Sequence, residues 1–215
     1  MRACRLFLSA FFFVAAFCVA SGGNAAANAR NVAVPSSVKT EIIRYLDGIE
    51  SLHANFSQTD EGGVPSSGEF YMERPSKIRW EYAPPSHLLI IVNGKVMAIV
   101  DRELDEVRNV PIESKLAGLL ALPAKNLFDA SSDVLLTDYK EGEGAYFLSF
   151  AQKNRREDGE ITLHFSKSDV ALTGFSQRDP TGRRVEIVFS DMEKNLSFDR
   201  NLFYVPEGRS RPQKR

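Results

Sequence analysis

Between residues 52 and 191 the chain repeats one pattern: short runs in which apolar residues occupy every second position, each run closed by a turn signal. A period of two sends successive side chains to opposite faces of an extended strand, so such runs build sheets with one greasy face. In "SLHANFSQ", Leu52, Ala54 and Phe56 alternate with His53, Asn55 and Ser57; in "KIRWEY", Ile78, Trp80 and Tyr82 alternate with Lys77, Arg79 and Glu81. Comparable runs cover 68–73, 88–92, 96–101, 106–110, 134–139, 145–151, 161–166, 172–178 and 185–191. Pro84-Pro85, the hairpin dipeptide Asn93-Gly94 and Asp179-Pro180-Thr181-Gly182 separate neighbouring runs. About eleven short strands in this rhythm predict an antiparallel, mainly β chain with a little α.

Two stretches depart from the rhythm. Ahead of the strands, Val38, Ile42, Tyr45, Leu46 and Ile49 recur at helical spacing, with Ser36 or Ser37 placed to cap the helix. Midway, residues 111–128 read as a helical segment. It opens on Pro111, in a position suited to a first turn, carries Ile112, Leu116, Leu119 and Leu120 on one face, and is broken by Pro123. An antiparallel sheet of this size must curl, close or split to bury its apolar face. So few helices cannot cover both faces, and the expected arrangement is one strongly curved sheet with the helices on its concave side.

The ends of the chain read differently. Residues 1–29 have the form of a secretory signal: Arg2 and Arg5, an uncharged apolar run over 6–20, then Ala27-Asn28-Ala29 as a small-x-small cleavage site. A run of about fifteen apolar residues is short against the ~20 of a spanning helix, which favours cleavage. Both cysteines, Cys4 and Cys18, lie in that leader, so the exported chain would have neither thiol chemistry nor a disulfide. The bulky Phe17 before Cys18 makes that site a poor one for lipidation. Of 27 Lys and Arg against 28 Asp and Glu, only Arg2 and Arg5 leave with the signal, so the mature balance is 25 against 28, or −3. Basic and acidic residues are interspersed and form no basic stripe, so nothing in the body of the chain suggests a nucleic-acid surface. The last seven residues, "RSRPQKR" (209–215), read as a solvated basic tail or as a docking arm for an acidic partner. The expected division is therefore a signal over 1–29, one domain over 30–208, and the tail over 209–215.

No catalytic constellation is present. His53, His87 and His164 fall on separate runs without a nucleophile-elbow sequence, and there is neither H-E-x-x-H nor a cysteine pair for a metal. "GEGAYF" (142–147) lacks the third glycine and the strand-to-helix setting of a nucleotide loop, and reads as a hairpin; "DASSD" (129–133) lacks calcium-loop spacing. The expectation is a binder with no enzymatic activity, metal or cofactor. Phe70, Met72, Ile78, Trp80 and Tyr82, facing Leu116, Leu119 and Leu120, could form apolar walls suited to aliphatic chains. Each methylene removed from water contributes ~0.8 kcal/mol, so a long acyl chain could supply on the order of 10 kcal/mol before ordering costs. Composition alone, however, favours reading the same residues as a dry core.

Ordered pieces along nearly the whole mature chain shift that balance: "LDGIESLHANFSQ", "GEFYMERPSKIRWEY", "LLIIVNGK", a helical segment near "LLALP", "QRDPTGRRVEIVFS" and a closing "FYVPEG". Together they resemble the outer-membrane lipoprotein carrier (LolA) family. The resemblance implies a soluble, monomeric periplasmic chaperone with an unclosed antiparallel β-barrel of eleven strands and a helical lid over a hydrophobic cavity. Such proteins take triacylated lipoproteins from an inner-membrane ABC transporter to an outer-membrane acceptor. It further implies that the family's Arg-Pro pair, here Arg74-Pro75, lies on the lid side of the cavity, with Arg74 as a latch on the closed form. Pro75 is expected to interrupt pairing and let its two strands diverge, and Arg79 to lie on the outer, solvated face. Two other roles use the same fold: an outer-membrane acceptor that is itself a lipoprotein, and a periplasmic lipid binder or sensor.

Overall fold

The computed structural model describes residues 32–112 and 115–208, with backbone only for 115–117. The leader and the basic tail therefore lie outside the described residues, as does the side chain of Leu116. No helix among the described residues is long and apolar enough to cross a membrane.

The alternating runs all become strands: β1 Ser51–Asp60, β2 Pro65–Glu73, β3 Lys77–Tyr82, β4 Leu88–Asn93, β5 Val96–Asp101, β6 Glu106–Pro111, β7 Val134–Glu141, β8 Ala145–Gln152, β9 Glu160–Ser166, β10 Leu172–Arg178 and β11 Arg184–Lys194. They form one antiparallel sheet in the order β6-β5-β4-β3-β2-β1-β11-β10-β9-β8-β7. The hairpin signals act where expected. Gly94, at φ 64°, turns β4 into β5, and Gly182 donates to the Asp179 carbonyl between β10 and β11. The glycine-rich 142–144 loop joins β7 to β8, with Gly142 donating to the Ala145 carbonyl.

The sheet is strongly curled. Neighbouring strands lie about 4.8 Å apart, so β3 and β10, four steps apart in the order, would be about 19 Å apart in a flat sheet. Yet the rings of Trp80 on β3 and Phe175 on β10 have centroids 5.9 Å apart, and Phe70 on β2 meets Phe189 on β11 at 5.1 Å across the intervening β1. Curling brings the apolar faces of distant strands together. The edges β6 and β7 remain unpaired with each other, so the barrel is open.

Helix α1, Ser36–Asp47, buries Val38, Ile42 and Leu46 in the concave cluster, and Ile49 follows them. Neither serine caps it. Pro35 stands at the cap position with no side-chain bond, its carbonyl receives the Lys39 N–H, and Thr40 Oγ1 donates to the Ser36 carbonyl. Pro111 ends β6 instead of opening a helix. The helical residues beyond it form a 3₁₀ segment, Lys115–Ala121, and a short helix α2, Ala124–Leu127, separated as expected at Pro123. Topology dictates where this connection runs. β6 and β7 are the two edges of the sheet, so the chain between them must cross the open mouth. The 3₁₀ segment duly touches β2 and β3 on one side and β8 on the other.

The convex face departs from simple alternation. β4 is buried on both sides: Ile90 and Val92 join the concave cluster, while Leu89 and Ile91 form a second cluster with Ala98 and Phe203. Residues 195–208 cross the outside of β3, β4 and β6. Along this path Asn93 Nδ2 donates to the Phe203 carbonyl, Asn109 Nδ2 donates to the Pro206 carbonyl, and Phe198 packs edge-on to Tyr71. Arg79 does lie on the outer face, but it is not solvated. Its Nη1 donates to the Leu202 carbonyl at 3.1 Å, and its Nε and Nη2 donate to Glu81. The guanidinium serves as an anchor for the crossing segment. An unbroken apolar run such as "LLIIV" is the signal for a strand covered on both faces.

Candidate functional site

The concave wall is built by register. β2 and β3 pair Phe70 with Trp80 and Met72 with Ile78, placing all four on one face together with Tyr82. Phe70 is fully buried and Trp80 is 8% exposed. Around them Phe56 packs edge-on against Trp80 at 5.0 Å and against Tyr82 at 5.1 Å, and Phe70 lies 4.4 Å from Trp80. On the lid side Leu119 is buried in the same cluster, and Leu120 and Leu122 pack against it half-buried. The described wall and cover residues thus meet in one aromatic and aliphatic cluster, with wall and lid in contact. They are polar at only a few points.

One such point is Gln58, 2% exposed at the far end of β1, whose Oε1 accepts a 2.8 Å hydrogen bond from the Tyr82 hydroxyl. Burial pushes the ionisation of that hydroxyl above its ordinary range, against a smaller opposing pull from Gln58, so Tyr82 acts as a neutral donor. Tyr82→Phe strips the donor and leaves a buried acceptor. The expected cost is about 1–3 kcal/mol, read as a lower urea midpoint at unchanged slope. A midpoint equal to that of the parent protein would show that Gln58 finds another partner.

The other polar point lies at the lid. Arg74 follows β2 in a three-residue turn, and its backbone N–H is fixed to the Glu50 carbonyl at 2.9 Å. Its Nη1 donates to the Leu122 carbonyl and its Nη2 to the Leu120 carbonyl at 3.4 Å. Its Nε is buried and finds no hydrogen-bond partner among the described residues. Desolvation draws the guanidinium below the usual arginine range, while Asp47 and Glu50 pull the other way. Nearby, Asp47 Oδ1 accepts from the Ala124 N–H at 3.3 Å, so the last residue of α1 holds the first residue of α2. Asp47 was not anticipated from the sequence, where it is one acid among many. Pro75 also departs from expectation. β2 and β3 stay paired up to Glu73 and Lys77, so Pro75 turns a tight hairpin instead of parting the strands. A proline suits such a turn because it fixes φ and needs no pairing partner for a missing N–H.

Among the described residues no group of histidine, cysteine, aspartate or glutamate could hold a metal ion. His164, in the convex face of β9, faces Ser176 at 3.3 Å, and Arg184 donates to the same hydroxyl. His53 stacks on Tyr71, with Nε2 3.5 Å from Glu69.

A family model described as outer membrane lipoprotein carrier protein LolA matches residues 47–206, a span reaching from the last residue of α1 through every strand and the lid to the convex crossing. The chain belongs to the LolA family. Relatives agree over most of their length. The outer-membrane lipoprotein carrier protein of Alkalilimnicola ehrlichii is 37% identical over 191 residues, covering 82% of this chain and 84% of its own. That of Methylococcus capsulatus is 27% identical over 164 residues, covering 74% and 78%. A solved domain from Vibrio parahaemolyticus, described as a putative outer membrane lipoprotein-sorting protein, has the same fold at 9% identity, with a TM-score of 0.50, covering 78% of this chain and 95% of its own. The LolA match includes both the concave wall and Arg74-Pro75. LolA proteins are carriers, which agrees with the expectation of binding without turnover.

Proposed function

We propose that this protein carries lipoproteins across the periplasm, holding their acyl chains between the concave wall and a lid that lifts to admit them. One observation carries the reading: an apolar sheet face spanning β1 to β3 and β9 to β11 is covered by a segment whose polar hold on the body includes the bonds of Arg74 and Asp47. The cover is held by apolar packing and by these bonds and is not part of the strand ladder, so it can part from the wall without breaking sheet pairing. Lifting the lid exposes Phe70, Met72, Ile78, Trp80 and Leu119. Acyl chains re-cover that surface at ~0.8 kcal/mol per buried methylene, so a guest of several chains can hold open what an empty protein keeps closed. Arg74 is the latch in this scheme.

The partners follow from the role. Triacylated lipoproteins would arrive from an inner-membrane ABC transporter, and the monomeric carrier would hand them to an outer-membrane acceptor or to that membrane itself. The secretory leader over 1–29 is consistent with a periplasmic site of action. Depletion of the protein followed by membrane fractionation tests the reading. Lipoproteins bound for the outer membrane are expected to accumulate in the inner membrane, and an unchanged distribution would sink it.

A further inference from the structure

The polar half of the guest has to meet something at the rim of the hollow, and Arg74 is the group placed there. In the closed protein its guanidinium donates to two neutral carbonyl oxygens, those of Leu120 and Leu122, and its Nε–H is buried with no partner among the described residues. Raising the lid removes both acceptors at once. Three donors of the cation are then left beside the apolar wall beginning at Met72 and Ile78, free to take up acceptors from whatever enters the opened mouth. The backbone beneath does not travel with the lid, because the Arg74 N–H is tied to Glu50 and β2 stays paired with β3 up to Glu73.

We propose that Arg74 passes from the lid's carbonyls to the guest's, donating from its fork to the two ester carbonyl oxygens of a diacylglyceryl group while the attached chains enter the hollow. The assignment rests on the carrier reading and adds the chemistry of the headgroup end. Neutral carbonyls fit better than an anion for a reason visible in the site. The fork already binds two uncharged carbonyl oxygens in the closed protein, and the nearby Asp47 and Glu50 offset part of the attraction that a carboxylate or phosphate would feel there, whereas an uncharged oxygen loses nothing to them. Guest and lid then compete for the same donors, and entry of the one releases the other.

Diacylglyceryl esters occur in lipoproteins and in phospholipids, and the test separates them. Binding to the full mature protein is titrated with a diacylglyceryl-cysteine peptide, its dialkyl-ether counterpart of equal carbon count, and a phosphatidylglycerol with the same chains. The emission of Trp80, the only tryptophan, serves as the signal. The ester peptide is expected to bind roughly tenfold tighter than the ether, the worth of hydrogen bonds to a charged donor. In Arg74→Leu that ratio falls to about one, and Arg74→Lys, which keeps the charge but loses the fork, lies between. The lysine variant also carries the test if the leucine variant fails to fold. Phosphatidylglycerol, whose phosphate would sit near Asp47 and Glu50, is expected to bind more weakly than the peptide. Equal and Arg74-dependent binding would extend the ester recognition to phospholipids. No ester preference in the parent protein, or a preference untouched by both substitutions, overturns the assignment and leaves the carrier reading standing. Failure of every probe to bind would sink both.

Discussion

Arg74→Leu is expected to leave the lid raised in a far larger share of molecules. The closed form loses a hydrogen bond from a charged donor to the Leu122 carbonyl, worth about 1.5–3 kcal/mol, and a longer, weaker one to the Leu120 carbonyl, and both carbonyls lose their partner. Against this, the closed form no longer has to hold a partly desolvated guanidinium with an unpartnered Nε, which returns part of the loss. A net shift of about 1–3 kcal/mol raises the open-to-closed ratio roughly fivefold to 150-fold. Trp80 makes the measurement direct, because it is the sole tryptophan and lies in the cluster beneath the lid. Acrylamide should quench its emission more strongly in the variant, and an acyl guest should be released abnormally. Quenching and transfer both equal to the parent's would remove the latch from the mechanism.

Gly68→Ala is expected to be strongly destabilising. Gly68 on β2 sits opposite Phe56 on β1 and Tyr82 on β3, and a Cβ there would stand 2.0 Å from the Glu81 carbonyl oxygen and 2.8 Å from the Phe56 ring. The first contact is with backbone, so the strands themselves would have to part. The expected cost is about 3 kcal/mol or more, at the upper end for overpacking, with a corresponding fall in the urea midpoint. Gly94→Ala is the control. That glycine has φ 64° and open space where a Cβ would go, so the substitution pays only conformational strain, about 1 kcal/mol. Equal effects at the two positions would show that the close approach of β2 to β3 and Phe56 is absent in solution.

How far the site was legible differs from residue to residue. Ile78, Trp80 and Tyr82 could be assigned to one face from their spacing, and Phe70 and Met72 likewise, because strand geometry imposes alternation whatever the sheet later packs against. The eleven strands were legible for the same reason. Arg74 could be placed only through its match to a family motif: nothing in an isolated Arg-Pro pair says that its fork will meet Leu120 and Leu122, some 46 and 48 residues further along. Asp47 was hidden altogether, since its bond is to a backbone N–H, which any residue could supply.

Alternation and turn chemistry are local, acting over two to four residues, and from them the amino-acid order determined the number of strands, their boundaries within a few residues, and which side chains share a face. Tertiary structure decided the rest. Closure of the curl brought Trp80 to Phe175, the span between two edge strands became a lid, and residues 195–208 were laid over the back of β4. These choices depend on apolar surface finding a cover, and that attraction has no direction and no sequence period of its own.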